Sequence, residues 1–250
     1  MSFFAKLSER VTSVGSPLCI GIDPTPDLLE PPNLPVSALA FSKRLVDETS
    51  HLAAVYKPNA AFFEALGPDG WNVLHDIVKY IKTTTQALVI LDAKRGDIGS
   101  TAEAYAQACF DKMDVDCVTV SPYMGRDSVQ PFLKLPDTGI FVLCKTSNPG
   151  SSDFQTLTLN DGRYVYEAIV DSFKNPTRVG FVVGATDLDA IQAVRNRAPD
   201  AWILAPGLGF QGGNIHKGDS KILYSVSRGI YVGGKYRDNA QKFKNILSLT

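Results

Sequence analysis

The chain has 250 residues, of which 44% are hydrophobic and 20% are charged. This size and composition are those of one ordinary globular domain with a large core, and they exclude an intrinsically disordered chain. The formal net charge of −1 provides no overall field for nucleic acid or for an anionic membrane, so we expect neither as a partner. An anionic ligand must therefore be held by a local cluster of side chains.

Cysteine and histidine residues do not cluster along the sequence. The three histidines lack H-x-x-x-H spacing, so no metal site is expected. The N-terminal segment lacks the apolar region of a signal peptide, and no run approaches the roughly 18 apolar residues of a membrane span. We expect a protein of the reducing cytoplasm. The cysteines, none in C-x-x-C spacing, are interpreted as small buried hydrophobic residues and are Cys19, Cys109, Cys117 and Cys144.

Eight short apolar runs alternate with longer amphipathic segments. The runs are predicted strands and cover residues 18–23, 53–57, 87–94, 117–121, 140–145, 179–184, 202–206 and 222–227. Hydrophobic periodicity predicts helices over residues 36–50, 69–84, 164–174, 187–197 and 237–247. Eight β/α units in this length predict an α/β fold, a single (β/α)8 TIM barrel over residues 1–250. An open doubly wound sheet is the alternative, but no G-x-G-x-x-G follows the first run.

The third run ends in the polar sequence D-A-K-R-G-D. Asp92 and Lys94 are two residues apart, so on an extended strand they share a face, with Cα atoms roughly 6.5 Å apart. Asp97 then falls in the loop before the next helix. Placing a carboxylate and an ammonium where a strand leaves the core costs desolvation energy. This stretch is therefore interpreted as the chemical centre, and a purely structural ion pair is the alternative.

A helix is predicted to follow this loop. Ser100 and Glu103 have the spacing of a capping box, and the good helix formers of residues 104–108 come next. We therefore expect Ser100 and Glu103 to cap the helix rather than to act on a ligand.

Polar or glycine-rich segments also follow other predicted strands. In a parallel barrel the C-terminal ends of the strands converge on one mouth, where active sites are built. A glycine-rich loop after strand seven beside an Arg-Gly pair after strand eight is a common phosphate site, because backbone amides and a guanidinium can hold a dianion. The residues at these strand ends are Asp23, Lys57, Ser147, the loop that begins at Pro206, Arg228 and Gly229.

Together these motifs resemble the orotidine 5′-monophosphate decarboxylase family. The resemblance rests on D-A-K-R-G-D-I-G-S-T, G-I-D-P, K-P-N, T-S-N-P-G, P-G-L-G-F-Q-G-G and S-R-G-I-Y, which extend from the first predicted strand to the eighth. The D-x-K-x-x-D spacing also occurs in related metal-dependent 3-keto-gulonate-phosphate decarboxylases and hexulose-phosphate synthases, which have an acidic residue at the end of strand two. This sequence has Lys57 there, and Ile98 and Thr101 complete the D-I-x-x-T pattern of the orotidylate enzymes.

The resemblance implies cofactor-free and metal-free decarboxylation of orotidine 5′-monophosphate (OMP) to uridine 5′-monophosphate (UMP), the last step of de novo UMP synthesis. Lys94 would stabilise and protonate the C6 carbanion, beside Lys57 and Asp92. Asp97 would act in the site of the partner subunit of a homodimer. A metal-dependent phosphosugar decarboxylase or aldolase on the same barrel is the alternative function, and a catalytically silent phosphate-binding barrel is a third.

The resemblance also implies the contacts with the nucleotide. Ser147 would meet the pyrimidine, Asp23 and Lys57 would bind the ribose, and a lid over residues 207–218 would close. Family members also occur fused to orotate phosphoribosyltransferase. The resemblance therefore includes fusion to that enzyme, or association with it, among the expected arrangements. No role is assigned to the polar extension of residues 151–161. The complete set of implied binding residues is Asp23, Thr101, Ser147, Pro206, Gln211, Arg228 and Gly229, of which Gln211 and Arg228 would hold the phosphate.

Overall fold

The computed structural model describes residues 1–32, 34–208, 215–216 and 219–248. Within these residues eight parallel strands close into a barrel in sequential order, with the last strand paired to the first. This confirms the predicted (β/α)8 barrel, and every strand lies within two residues of its predicted run. The strands are β1 Leu18–Ile22, β2 Val55–Pro58, β3 Leu88–Arg95, β4 Cys117–Val120, β5 Gly139–Lys145, β6 Val179–Val183, β7 Ile203–Pro206 and β8 Ile222–Val226.

The described ranges contain ten α-helices, and none of them is long and apolar enough to span a membrane. The five periodic segments predicted as helices are confirmed as α2, α4, α7, α8 and α10. The helix α1 at the N-terminus was not predicted. In chain order the helices are α1 Phe3–Val14, α2 Pro35–Thr49, α3 Ala60–Glu64, α4 Pro68–Thr84, α5 Gly99–Gln107, α6 Arg126–Val129, α7 Val165–Phe173, α8 Leu188–Arg197, α9 Arg228–Tyr231 and α10 Tyr236–Ile246.

Both faces of the strands are buried, as continuous apolar runs require. One set of strand side chains packs against the surrounding helices, and the other fills the barrel and contacts α1. The ring of Phe141 on β5 lies edge-to-face with Phe3 and Phe4 of α1, with centroids 6.4 Å and 5.4 Å away. A Cβ at Gly139 would lie 2.7 Å from the Phe3 ring, so only glycine permits this approach. The helix α1 therefore closes the N-terminal end of the barrel.

Two strands carry an irregularity in their pairing close to the mouth. Between β3 and β4 the register shifts between Leu91 and Arg95, and between β5 and β6 it shifts between Leu143 and Lys145. Lys94, inside the first shift, has φ 46°, a left-handed conformation that is uncommon for a residue with a side chain. Such bulges redirect side chains and are over-represented next to active sites.

The predicted capping box at Ser100 and Glu103 is wrong. The helix α5 begins at Gly99 with Ile98 as its N-cap, so Ser100 lies inside the first turn and cannot cap it. Glu103 instead accepts a hydrogen bond from Lys134 Nζ at 2.6 Å. The placement of Asp97 in the loop between β3 and α5 is confirmed.

The interpretation of the cysteines as buried hydrophobic residues is confirmed. All four are free and buried. Burial raises the pKa of the Cys19 thiol to about 12 and that of Cys109 to about 11, so both thiols stay protonated at neutral pH.

Candidate active site

Three charged side chains meet where β2 and β3 end. Lys57 Nζ donates a hydrogen bond to Asp92 Oδ2 at 2.8 Å, and Lys94 Nζ donates one to Asp92 Oδ1 at 2.7 Å. The predicted contact between Asp92 and Lys94 is therefore confirmed. The side chains of Lys57 and Asp92 are only 7% and 12% exposed, whereas that of Lys94 is 51% exposed. Lys94 is thus the most exposed member of this array.

Lys57 and Asp92 remain charged although both are largely buried, because each lies beside groups of opposite charge. Burial alone would raise the pKa of Asp92, but the ammonium groups of Lys57 and Lys94 outweigh burial and hold that pKa well below its usual range. Burial alone would lower the pKa of Lys57, but the carboxylates of Asp92 and Asp23 outweigh burial and hold that pKa above its usual range. A carboxylate and two ammonium groups therefore face the mouth at neutral pH.

Thr119 on β4 supports the array and was not predicted. Its Oγ1 accepts a hydrogen bond from the backbone nitrogen of Lys94 at 3.0 Å and donates one to Asp92 Oδ1, also at 3.0 Å. The residue is 1% exposed and lies opposite the bulge of β3. The hydroxyl thereby satisfies a backbone N–H that the shifted register removes from the regular ladder.

A cavity opens beside the array at the C-terminal ends of the strands. It brings together six of the predicted site residues, contributed by loops or strands at opposite sides of the barrel. Ser225 and Ser227 were not predicted, although two polar residues at alternate positions near the end of β8 are a signal that could have identified them. The lining comprises Asp23, Lys57, Ser147, Pro206, Gly207, Leu208, Ser225, Ser227, Arg228 and Gly229.

Asp23, which lines this cavity, has one carboxylate oxygen without a hydrogen-bond partner among the described residues. Its Oδ1 is buried and has no hydrogen-bond partner within the described ranges. A buried acceptor without a partner is uncommon, since each such group costs about 1–3 kcal/mol. The Asp23 carboxylate therefore has an acceptor that no group in the described ranges uses.

Four predicted residues in the described ranges are not among those that line the cavity: Asp92 and Lys94, which adjoin it through Lys57, and Asp97 and Thr101. Asp97 Oδ1 accepts a hydrogen bond from the backbone nitrogen of Ile98 at 2.8 Å, and in the described part of the chain it forms no ion pair. Thr101 is exposed on α5. Gln211 and most of the predicted lid lie outside the described residues.

Metal ligation is not favoured by this array, because lysines occupy both oxygens of Asp92. Over the described ranges, His, Cys, Asp and Glu side chains form no group of three or more that could hold a metal ion. Metal-free chemistry stays a prediction.

A barrel whose C-terminal mouth carries a buried Lys-Asp-Lys array beside a polar cavity has the architecture of a barrel enzyme. The sequence model of the "Orotidine 5'-phosphate decarboxylase / HUMPS family" matches residues 16–236. The chain therefore belongs to this family, and the resemblance seen in the sequence motifs is confirmed.

Relatives agree with this assignment. The chain is 43% identical to the orotidine 5′-phosphate decarboxylase of Roseiflexus castenholzii, over 97% of this chain and 92% of that protein. It is 42% identical to the Leishmania donovani OMP decarboxylase structure, with a TM-score of 0.87 and 100% of both chains covered. The Leishmania donovani UMP synthase structure is 43% identical, with a TM-score of 0.90, and the match covers 99% of this chain and 56% of that one.

Proposed function

We propose that this chain is an OMP decarboxylase, which converts OMP to UMP and CO2 in pyrimidine biosynthesis. The reaction is supported by family membership and by relatives of that name over nearly the whole chain. The observation that carries the proposal is the Lys57–Asp92–Lys94 array, in which Lys57 lines a polar cavity and is joined through Asp92 to the exposed ammonium of Lys94.

The mechanism that we propose follows from the charge that the reaction develops. Loss of CO2 from C6 leaves a carbanion in the plane of the pyrimidine, which the ring π system cannot delocalise. Stabilisation must come from a fixed cation close to C6. Lys94 provides that cation and then donates a proton to C6, which completes UMP. Asp92, itself held by Lys57, accepts a hydrogen bond from Lys94 Nζ and aims it, so no metal or cofactor is needed.

The cavity also has groups that contact the ribose, the pyrimidine and the 5′-phosphate of the nucleotide. The Asp23 carboxylate, which lines the cavity, accepts a hydrogen bond from a ribose hydroxyl, with Lys57 beside it. Ser147 meets the pyrimidine from the opposite side of the barrel. The 5′-phosphate is held where β7 and β8 end, by the Arg228 guanidinium and the adjoining backbone, with Gln211 as a further contact. The residues around the phosphate are Pro206, Gly207, Arg228 and Gly229.

We also propose a homodimer that shares its sites. Asp97 and Thr101 lie outside the cavity of their own chain, which supports a role in the site of the partner subunit. Large exposed hydrophobic side chains lie in the same loops after β3 and β4 and would be covered by a second copy. They are Ile98 at 57%, Tyr123 at 89% and Met124 at 42% exposure.

The proposal extends to the domain organisation, the associated enzyme and the cellular compartment. Residues 1–250 form one barrel domain, and the UMP synthase relative supports fusion to, or association with, orotate phosphoribosyltransferase. Four free, buried cysteines support function in a reducing cytoplasm.

The proposal is tested by mixing the purified protein with OMP and following the loss of OMP absorbance, with and without EDTA. We expect UMP to form at the same rate in both samples. The metal-dependent alternative predicts loss of activity with EDTA, and the absence of UMP from both samples would contradict the proposed reaction.

A further inference from the structure

The polar extension of residues 151–161, which follows the β5 end, is docked on the residues that precede Ser147. Gln155 Oε1 accepts a hydrogen bond from the backbone nitrogen of Thr146 at 2.8 Å, and Gln155 Nε2 donates one to Thr146 Oγ1 at 2.9 Å. Ser151, which is 6% exposed, accepts a hydrogen bond from Lys145 Nζ at 2.8 Å. The extension therefore holds two consecutive residues immediately before Ser147.

Lys145 is a buried charge with no part in the proposed chemistry. It is 9% exposed and does not line the cavity. Besides Ser151, its Nζ lies 3.5 Å from Asp187 Oδ2, and Asp187 Oδ1 accepts a hydrogen bond from Ala190 N as the N-cap of α8. A buried ammonium is tolerated when it is paired in this way. Lys145 thus links β5, the extension and the start of α8.

Ser147 also packs against the backbone of Gly184. A Cβ at Gly184 would lie 2.8 Å from Ser147 Cβ, so Ser147 rests directly on the backbone that follows β6. Gly184 N donates a hydrogen bond to Lys145 O at 2.9 Å. With the extension on one side and Gly184 on the other, Ser147 is fixed where it faces the cavity.

We infer that the extension of residues 151–161 is a specificity element for the base of the nucleotide, with Gln155 and Lys145 as positioning residues for Ser147. The inference rests on the proposed function, because it assigns Ser147 to the pyrimidine. A hydrogen-bonding group discriminates between ligands only when its supporting contacts hold it in place. Gln155 bonds to Thr146, next to Ser147, whereas the proposed phosphate contacts lie at the ends of β7 and β8.

The test compares Gln155→Ala with Gln155→Glu, whose carboxylate still accepts from the backbone N–H of Thr146 and loses only the hydrogen bond donated to the Thr146 hydroxyl. For Gln155→Ala we expect the KM for OMP and the Kd for UMP to rise about fivefold, the effect of one hydrogen bond. The Kd for ribose 5-phosphate and kcat should stay within about twofold. Gln155→Glu should restore base-dependent binding.

Thr156→Ala is the matched control, because Thr156 lies in the same extension and bonds only locally, to Ser152 O. Ser151→Ala, which removes the acceptor of Lys145, is a second and smaller change, expected to act in the same direction. Equal losses for UMP and ribose 5-phosphate, or no loss for either, would overturn the inference while wild-type turnover of OMP continues. An inactive wild-type protein would instead contradict the proposed function.

Discussion

Thr119 Oγ1 lies 3.0 Å from Asp92 Oδ1 and 3.0 Å from the backbone nitrogen of Lys94, so one hydroxyl bridges two members of the charged array. The nitrogen of Lys94 is available because β3 bulges at this point and Lys94 adopts a positive φ. The direction of the Lys94 side chain therefore depends on a residue of the neighbouring strand.

Thr119→Val keeps the shape of this side chain but removes both hydrogen bonds. The unsatisfied N–H of Lys94 should lower the free energy of unfolding by about 1–3 kcal/mol. Misplacement of Lys94 should reduce kcat by about tenfold or more, with little change in KM for OMP. Steady-state kinetics and urea unfolding measure the two effects.

Two further variants separate positioning from simple destabilisation. Thr119→Ser retains the hydroxyl and should keep most of the activity. Thr49→Val removes another buried hydroxyl, one that bonds to Leu45 O and lies 2.7 Å from Tyr56 Oη. It should lower stability without changing kcat. If Thr119→Val and Thr49→Val reduce kcat equally, Thr119 has no specific role.

The pH dependence of stability follows from the pKa shifts of the array. The pKa of Asp92 is lowered in the folded protein, so its stabilisation is complete above its ordinary pKa of about 3.9 and is lost as the pH falls through the folded value. The pKa of Lys57 is raised, so its stabilisation is complete below its ordinary pKa of about 10.4 and is lost as the pH rises through the folded value.

Asp92→Asn tests this behaviour by urea unfolding at a series of pH values. Removal of one partner from a buried pair should cost about 3 kcal/mol between about pH 5 and pH 9. The difference from wild type should shrink below about pH 4, where Asp92 of the unfolded chain begins to take up a proton while folded Asp92 remains ionised. A difference that changes steadily through neutral pH would contradict the assigned shifts.

Arg228→Ala should weaken the binding of ligands that carry a phosphate and leave the binding of ligands without one nearly unchanged. A charge-assisted hydrogen bond contributes about 1.5–3 kcal/mol, so UMP should bind at least about tenfold more weakly. The affinity for uridine, which lacks the phosphate, should stay within about twofold. Calorimetric titration measures both, with the exposed Arg237→Ala as control. Equal losses for UMP and uridine would move the phosphate site elsewhere.

Shared sites predict complementation between two inactive variants. In a mixed dimer of Lys94→Ala and Asp97→Ala, one site carries both defects and the other carries none. Random mixing makes half of the dimers mixed, so about a quarter of wild-type activity should return. Mass spectrometry confirms that mixed dimers have formed. Their complete inactivity would show that Asp97 does not act across the interface.

The sequence was sufficient to predict which strand ends meet at one cavity. Strands buried on both faces are recognisable as apolar runs, and a parallel barrel brings their C-terminal ends to one mouth. For that reason the amino-acid sequence alone assigns Asp23, Lys57 and Arg228 to one site, although they are distant along the chain, and all three line the same cavity.

What could not be predicted depends on the alignment of one strand with another. Period-two geometry predicted the contact of Lys94 with Asp92, but the bulge and the left-handed backbone of Lys94 arise from pairing with β4. Thr119 acts through the same pairing and looks like any other residue of a buried strand. The capping box at Ser100 failed because α5 starts two residues earlier than that pattern requires.

The most direct test of the proposed mechanism is the Lys94→Ala variant, assayed for turnover of OMP and for binding of UMP, with the exposed Lys79→Ala as control. Loss of the Lys94 cation, the most exposed of the array, should reduce kcat by roughly a thousandfold or more. UMP should still bind within a few-fold of wild type, because the ribose and phosphate contacts remain. Near-normal turnover by Lys94→Ala would contradict the assignment of Lys94 as the group that stabilises and protonates C6.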